Sequence, residues 1–353
     1  VGAPPRFEIT APVPRHGGHG IGSGSVPVSG RLSSASDTAA GRLARSLPAV
    51  LPPHGRYAPS PTGALHLGNL RTALLAWLFA RSQGARFRMR VEDLDTGRSR
   101  PEYEAQQLAD LAAIGLDWDG DVVRQSERLD RYAEAIGRLD ADGRLYPCYC
   151  TRREIREAAS APHGPLPEGA YPGTCRDLTA AERAERERAG RPPALRLRAG
   201  AETVRFDDRL LGPVEAVIDD LVVRRNDGAP AYNLAVVVDD AAQHIGEVVR
   251  GADLADSTPR QLLLGRLLGY QAPRFAHVPL MVGRDGTRLA KRHGSVTLAD
   301  RRTLGETPAQ VRGALAATVG LAAPGEAPSM DDLLARFDPA RLPTGPTTFA
   351  EVA

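Results

Sequence analysis

The chain has 353 residues, with 45 basic and 43 acidic side chains, a net charge of +2 and 42% hydrophobic residues. It can bury a large core and is long enough for more than one structural unit, but its charge balance gives no overall field for nucleic acid, so any basic surface must come from local clustering. No apolar run approaches the roughly 20 residues of a membrane helix, and no charged stretch followed by an apolar one opens the chain, which leaves export unsupported.

Residues 1–52 are rich in Gly, Pro, Ser and Ala and show no helical or strand period. They are set apart as a disordered or mis-started leader; a transit peptide is the alternative, given several Arg and Ser and few acids. Residues 53–147 alternate strand and helix. After the Pro59-Ser60-Pro61-Thr62-Gly63 turn, Leu70, Ala73, Leu74, Trp77 and Leu78 form a helical stripe that Gly84 ends, predicting a helix start at about Gly68 or Asn69. A strand at 87–91 ends in Glu92-Asp93, and helices follow at 102–114, opened by Pro101, and at 128–142. This alternation predicts an α/β fold with a parallel sheet, in which ligands bind beyond the carboxyl ends of the strands, where the His66 turn and Glu92 both fall.

The alternation breaks over 148–225. The three cysteines lie here, with a Pro/Gly loop at 161–173, a charged helix at 179–189 and short strands at 194–198 and 214–218, so the segment reads as an α+β insertion. Three cysteines, odd in number and closely grouped, suit a reducing cytosol better than a disulfide framework. Its mixed-sign runs at 152–154 and 183–188 read as solvated helix faces, with docking of an RNA stem as the alternative. Residues 226–304 resume the core with an apolar strand at 234–238, a helix at 259–268 and a loop carrying Lys291. Residues 305–353 supply one helix, at 308–319, and a Pro-rich end.

Two features point to phosphate chemistry. A helix start carries unpaired N–H groups and the positive end of the dipole, and Gly68, just after His66, puts no side chain between that backbone and an anion. Lys291 is the only lysine among 45 basic residues. An ammonium is a compact, mobile charge where guanidinium is a planar fork, and phosphoryl chemistry distinguishes them.

These segments resemble the class I aminoacyl-tRNA synthetases. His66-Leu67-Gly68-Asn69 is similar to their first signature, and Arg288-Leu289-Ala290-Lys291-Arg292 to their second. The wording of Arg56–Gly63, Arg90–Asp95, Tyr232–Asp240 and Val249–Leu254 is that of the glutamyl branch. The first signature here ends in Asn69 rather than histidine, and in the second Arg288 and Ala290 replace a lysine and a serine. The absence of a helical anticodon-reading region brings the resemblance nearest to truncated paralogues of that branch, which activate glutamate without tRNA and attach it to queuosine in tRNA(Asp).

The resemblance implies a Rossmann-type catalytic core with a zinc-bearing insertion, in a cytoplasmic monomer. His66 and the N–H groups near Gly68 and Asn69 would hold the phosphates of Mg-ATP, and Lys291 would close on the transition state from a mobile loop. Arg56 and Arg250 are candidates for the two carboxylates of L-glutamate, in either order, because guanidinium grips carboxylates bidentately. Glu92 is the candidate for its ammonium, with Ala58, Ser60, Tyr232 and Asn233 as walls. Cys148, Cys150, Cys175 and Tyr171 resemble a structural zinc site, with His163 a rival for the fourth position. Another RNA or a small amine as acceptor, or a catalytically silent binding module, are the alternative functions.

Overall fold

The computed structural model describes residues 54–159, 170–283, 286–287 and 296–349. It opens with strand β1 (Gly55–Tyr57), followed by helix α1 (Leu67–Arg81), β2 (Phe87–Val91), α2 (Pro101–Ala113), β3 (Val123–Arg124) and α3 (Leu129–Ala141). β1, β2 and β3 pair in parallel in that order. Leu70, Ala73, Leu74, Leu75, Leu78 and Phe79 are all almost fully buried, so α1 is enclosed on most sides instead of lying on a surface. It passes so close to β1 that a Cβ on Gly55 would stand 2.8 Å from that of Ala80, a contact only glycine avoids.

The middle of the chain contributes β4 (Leu145–Cys148), α4 (Arg152–Ala159), α5 (Ala180–Arg188), β5 (Ala194–Leu197), β6 (Thr203–Asp208), β7 (Gly212–Val217) and β8 (Val222–Arg224). β4, β5 and β8 form a small antiparallel sheet. The β6–β7 hairpin has a different allegiance, because β6 pairs in parallel with a strand of the core. Residues 148–225 therefore supply both a separate sheet and the edge of the main one.

The second half of the core comprises α6 (Tyr232–Ala242), β9 (Glu247–Gly251), α7 (Thr258–Leu267), β10 (Arg274–Val278) and the short β11 (Met281–Val282). The sheet order is β7-β6-β10-β9. A parallel bridge between His54 and Ile245 sets β9 beside β1, the His54 carbonyl accepting the Gly246 and Glu247 N–H groups at 3.0 and 3.3 Å. The two halves thus meet along one line, with β1 and β9 in the middle, and the parallel α/β core expected from the alternation is present.

One expected strand is wrong. Leu234–Val238 lies inside helix α6, whose buried residues include Leu234, Ala235, Val236, Val238, Asp239 and Asp240. A short apolar, β-branched run cannot be told from a buried helix by periodicity, and here packing against α3 and α7 overrides strand propensity. The core strand is β9, thirteen residues further on, whose first four residues are all buried.

The end of the chain is also richer than one helix. α8 (Leu298–Thr303), α9 (Pro308–Ala317) and α10 (Met330–Arg336) each begin with a capping box, on Thr297, Thr307 and Ser329. β12 (Thr347–Thr348) pairs in parallel with β11. Arg71 of α1, 1% exposed, donates to the Pro279 carbonyl and to the hydroxyls of Thr318 and Thr347, tying this final segment to the first helix. Among the described residues no helix is long and apolar enough to cross a membrane.

Candidate active site

His66 ends the turn ahead of α1 and caps the helix. Its Nδ1 accepts the Asn69 N–H at 3.2 Å while Asn69 Oδ1 accepts the His66 N–H at 3.3 Å, a reciprocal capping box. Nδ1 being the acceptor, the proton of the neutral ring sits on Nε2. This revises the picture of an open helix start. The helix begins at Leu67, whose N–H donates to the Val296 carbonyl at 2.7 Å, and the Asn69 N–H is already engaged by His66. Gly68 does leave the approach clear, since a Cβ there would lie 3.0 Å from the His66 ring.

The turn forms one wall of a cavity of about 640 Å³ at the carboxyl ends of β1 and β9. Arg56, Ala58, Ser60, Glu92, Tyr232 and Arg250 line it together with His66, Gly68 and Asn69. Asn233 does not; its amide oxygen accepts a hydrogen bond from Gln261 at 3.0 Å. Lys291, Arg288 and Ala290 lie outside the described residues. Gln107 of α2 holds the turn in place, donating to the carbonyls of Ser60 and Gly63 at 3.0 and 2.7 Å.

The two candidate arginines differ in their surroundings. Arg56 is paired with Asp240, at 3.3 and 3.4 Å. Asp240 also accepts from Arg90, at 2.8 Å, and Arg90 reaches Glu92 at 3.4 Å. Burial alone would raise the Asp240 carboxyl, but Arg56 and Arg90 hold it below the usual carboxylate range. Glu92 goes the other way: burial raises it, only partly offset by Arg90 and Arg56. Arg250, 4% exposed, donates through Nε to His277 and through Nη2 to Thr258, at 3.1 and 2.7 Å, and its buried Nη1 has no hydrogen-bond partner among the described residues. A guanidinium that lines a cavity, as Arg250 does, suits an anionic oxygen there.

In the insertion, the sulfurs of Cys148, Cys150 and Cys175 lie within 4.8 Å of one another. The Tyr171 hydroxyl lies 3.4 Å from the Cys148 sulfur and 3.8 Å from that of Cys150, and accepts the Cys175 N–H at 2.9 Å. Hydrogen bonds from Cys150 and Cys175 push the Cys148 thiol well down. Three soft sulfurs converging with a phenol oxygen fit a four-coordinate, closed metal shell. The rival ligand His163 lies outside the described residues.

A family model described as tRNA synthetases class I (E and Q), catalytic domain, matches residues 54–323. A glutamyl-Q tRNA(Asp) synthetase of Nocardia farcinica is 62% identical over 83% of this chain and 91% of its own length. The chain belongs to the glutamyl-Q tRNA(Asp) synthetases of class I. Another of these, from Symbiobacterium thermophilum, is 52% identical over 83% of this chain and 94% of its own. The crystal structure of a glutamate tRNA ligase from Elizabethkingia meningosepticum in complex with its amino acid has a TM-score of 0.73 at 28% identity, covering 85% of this chain and 67% of that one.

Within this synthetase fold, the residues missed by sequence reasoning are those that hold the site residues: Arg90, Asp239, Asp240, Gln107 and His277. Asp239 gathers Gln125, Arg128 and Tyr132 at 2.9, 2.6 and 2.8 Å, and Arg90 is 0% exposed. The available signal was a pair of adjacent acids ending an apolar run. Asp240→Ala removes the acceptor shared by two buried guanidiniums and is expected to cost on the order of 3–5 kcal/mol. Urea denaturation checks this; a loss below about 1 kcal/mol, the range of an exposed pair, would show that Asp239 and Glu92 suffice.

Proposed function

We propose that this chain activates L-glutamate with ATP in the absence of tRNA and transfers the glutamyl group to queuosine in tRNA(Asp), acting as a cytoplasmic monomer. The observation that carries the reading is that Arg250, Arg56 and Glu92 line one cavity together with the His66 turn. Glutamate has two carboxylates and one ammonium. Arg250 takes one carboxylate. Arg56, already neutralised by Asp240, contributes to the other, and Glu92 faces the ammonium with Ala58, Ser60 and Tyr232 around it.

In the activation step the α-carboxylate oxygen attacks the α-phosphorus of ATP, the new oxygen–phosphorus bond forms, and pyrophosphate leaves with the electrons of the broken bond. Charge accumulates on phosphate oxygens, so the protein's task is to position groups and stabilise that charge. His66, Gly68 and Asn69 form the wall assigned to the phosphates, and Mg²⁺ accompanies ATP as part of the substrate. Lys291 is assigned to the developing charge. Support for its placement comes from the segments on either side: Met281 lines the cavity, and Val296 and Thr297 pair with the backbone at Leu67 and His66. The acceptor is supported by the printed names of the relatives.

Cys148, Cys150, Cys175 and Tyr171 would hold zinc, which supplies structural cross-linking when bound. The Arg196 guanidinium lies 3.7 Å from the centre of the Tyr171 ring, placing a positive charge beside the thiolate-rich shell.

Glutamate-dependent ATP–pyrophosphate exchange without tRNA is the direct test, and Lys291→Ala is expected to lower its rate far more than glutamate affinity, because the charge it meets is greatest in the transition state. No exchange by a folded, metal-replete protein would overturn the activation step. Labelling of tRNA from strains with and without queuosine tests the acceptor: labelling that persists without queuosine refutes it. Removing zinc by chelation should lower the melting temperature and release one metal per chain, and an unchanged melting curve would take zinc out of the account.

A further inference from the structure

Arg250 is held by a buried chain that begins outside the cavity. Arg250 Nε lies 3.1 Å from His277 Nε2, and His277 Nδ1 lies 2.6 Å from Asp208 Oδ2. His277 and Asp208 are both fully enclosed, with side chains 0% exposed. Arginine Nε can only donate, so His277 Nε2 must accept, and the neutral ring carries its proton on Nδ1, towards Asp208. Burial, together with the nearby Arg250, keeps His277 below its ordinary range and hence neutral. The acceptor demand at Asp208 is complete, since its Oδ1 takes the backbone N–H groups of Leu210, Leu211 and His277 at 2.9, 3.0 and 3.2 Å. Thr258 holds the same edge of the guanidinium, accepting from Nη2 at 2.7 Å, with its hydroxyl oxygen 3.1 Å from His277 Nε2. With Nε and Nη2 both engaged, the guanidinium plane is fixed where Arg250 meets the cavity.

We propose that Asp208 and His277 are positioning residues that fix the Arg250 fork for the side-chain carboxylate of the amino acid, and so set the preference for glutamate over its uncharged amide, glutamine. The inference rests on the assignment of Arg250 to a glutamate carboxylate, and commits it to that of the side chain. The physical argument is tautomer control. With Asp208 ionised, the imidazole proton is drawn to Nδ1 and the Nε2 lone pair is presented to Arg250. An amide in place of Asp208 turns an N–H towards Nδ1, sends the ring proton to Nε2, and sets N–H against N–H at Arg250. A fork displaced from its orientation still carries charge, but loses the alignment that separates a carboxylate from a carboxamide.

The test is Asp208→Asn, alongside His277→Gln and the double variant, each read by glutamate binding in calorimetry and by the KM values for glutamate and ATP in pyrophosphate exchange. Asp208→Asn is expected to weaken glutamate binding by at least about tenfold, the size of one misaligned charge-assisted hydrogen bond, to lower the glutamate-to-glutamine ratio of kcat/KM by a similar factor, and to leave the ATP KM within about twofold. His277→Gln, whose side-chain oxygen can accept from Arg250 without a tautomer to choose, should relieve most of that loss in the double variant. Unchanged glutamate binding and discrimination in Asp208→Asn, or equal losses towards glutamate and ATP, would overturn the proposal. If Asp208→Asn does not fold, His277→Asn, too short to reach Arg250, gives the same reading. Arg250→Ala separates the two levels: if it too leaves glutamate binding intact, the assignment of Arg250 fails; if it alone abolishes binding, only the positioning role does.

Discussion

Asp240 is shared by two buried guanidiniums, and the site is arranged around that sharing. Removing Arg56 and Arg90 from water is costly, and a carboxylate hydrogen-bonded to both makes it tolerable. Because Asp240 is on α6, Arg56 on β1 and Arg90 on β2, the same contact fixes a helix of the second half of the core against two strands of the first. It also settles the charges of the cavity. Arg56 arrives already compensated, Glu92 is left with only a distant hold from Arg90, and Arg250 remains the buried cation with a donor to spare. An ion-pair network with this many members would be a poor device for stability alone; under the proposed function it orients groups for a ligand that carries both signs of charge.

The His66 end of the cavity is governed by a different constraint, that of helix ends. His66 and Asn69 satisfy each other, and Val296 satisfies Leu67. This start is therefore rigid before any ligand arrives, and its chemistry is that of an oriented imidazole beside a bare glycine more than of a row of open N–H groups. The same hydrogen bond brings Val296, which follows the second signature in the sequence, against the backbone of the first, more than 200 residues away in the chain.

The thiol cluster is joined to the core by acids as well. Asp219 accepts the Tyr171 N–H at 3.0 Å and Arg260 of α7 at 2.7 Å, and Asp220 accepts Tyr146 and Arg176, each at 2.6 Å. A metal held by Cys148, Cys150, Cys175 and Tyr171 would thus brace a segment whose other attachments already run into the catalytic half of the molecule.

By itself, the order of residues determined the parallel α/β core, helix α1 and the membership of most cavity residues, because local periodicity, turn chemistry and spaced motifs are properties of short stretches. It also brought Cys148, Cys150, Tyr171 and Cys175 to notice, since soft ligands grouped in sequence are conspicuous. Only the tertiary structure decided that Leu234–Val238 is helical, that Asn233 faces Gln261, that the two arginines are unequal, and that Asp208 stands behind His277 and Arg250. Each of these depends on groups far apart in the chain sharing one low-dielectric space. The value of a buried charge or proton is set there by its neighbours, which no window of sequence contains.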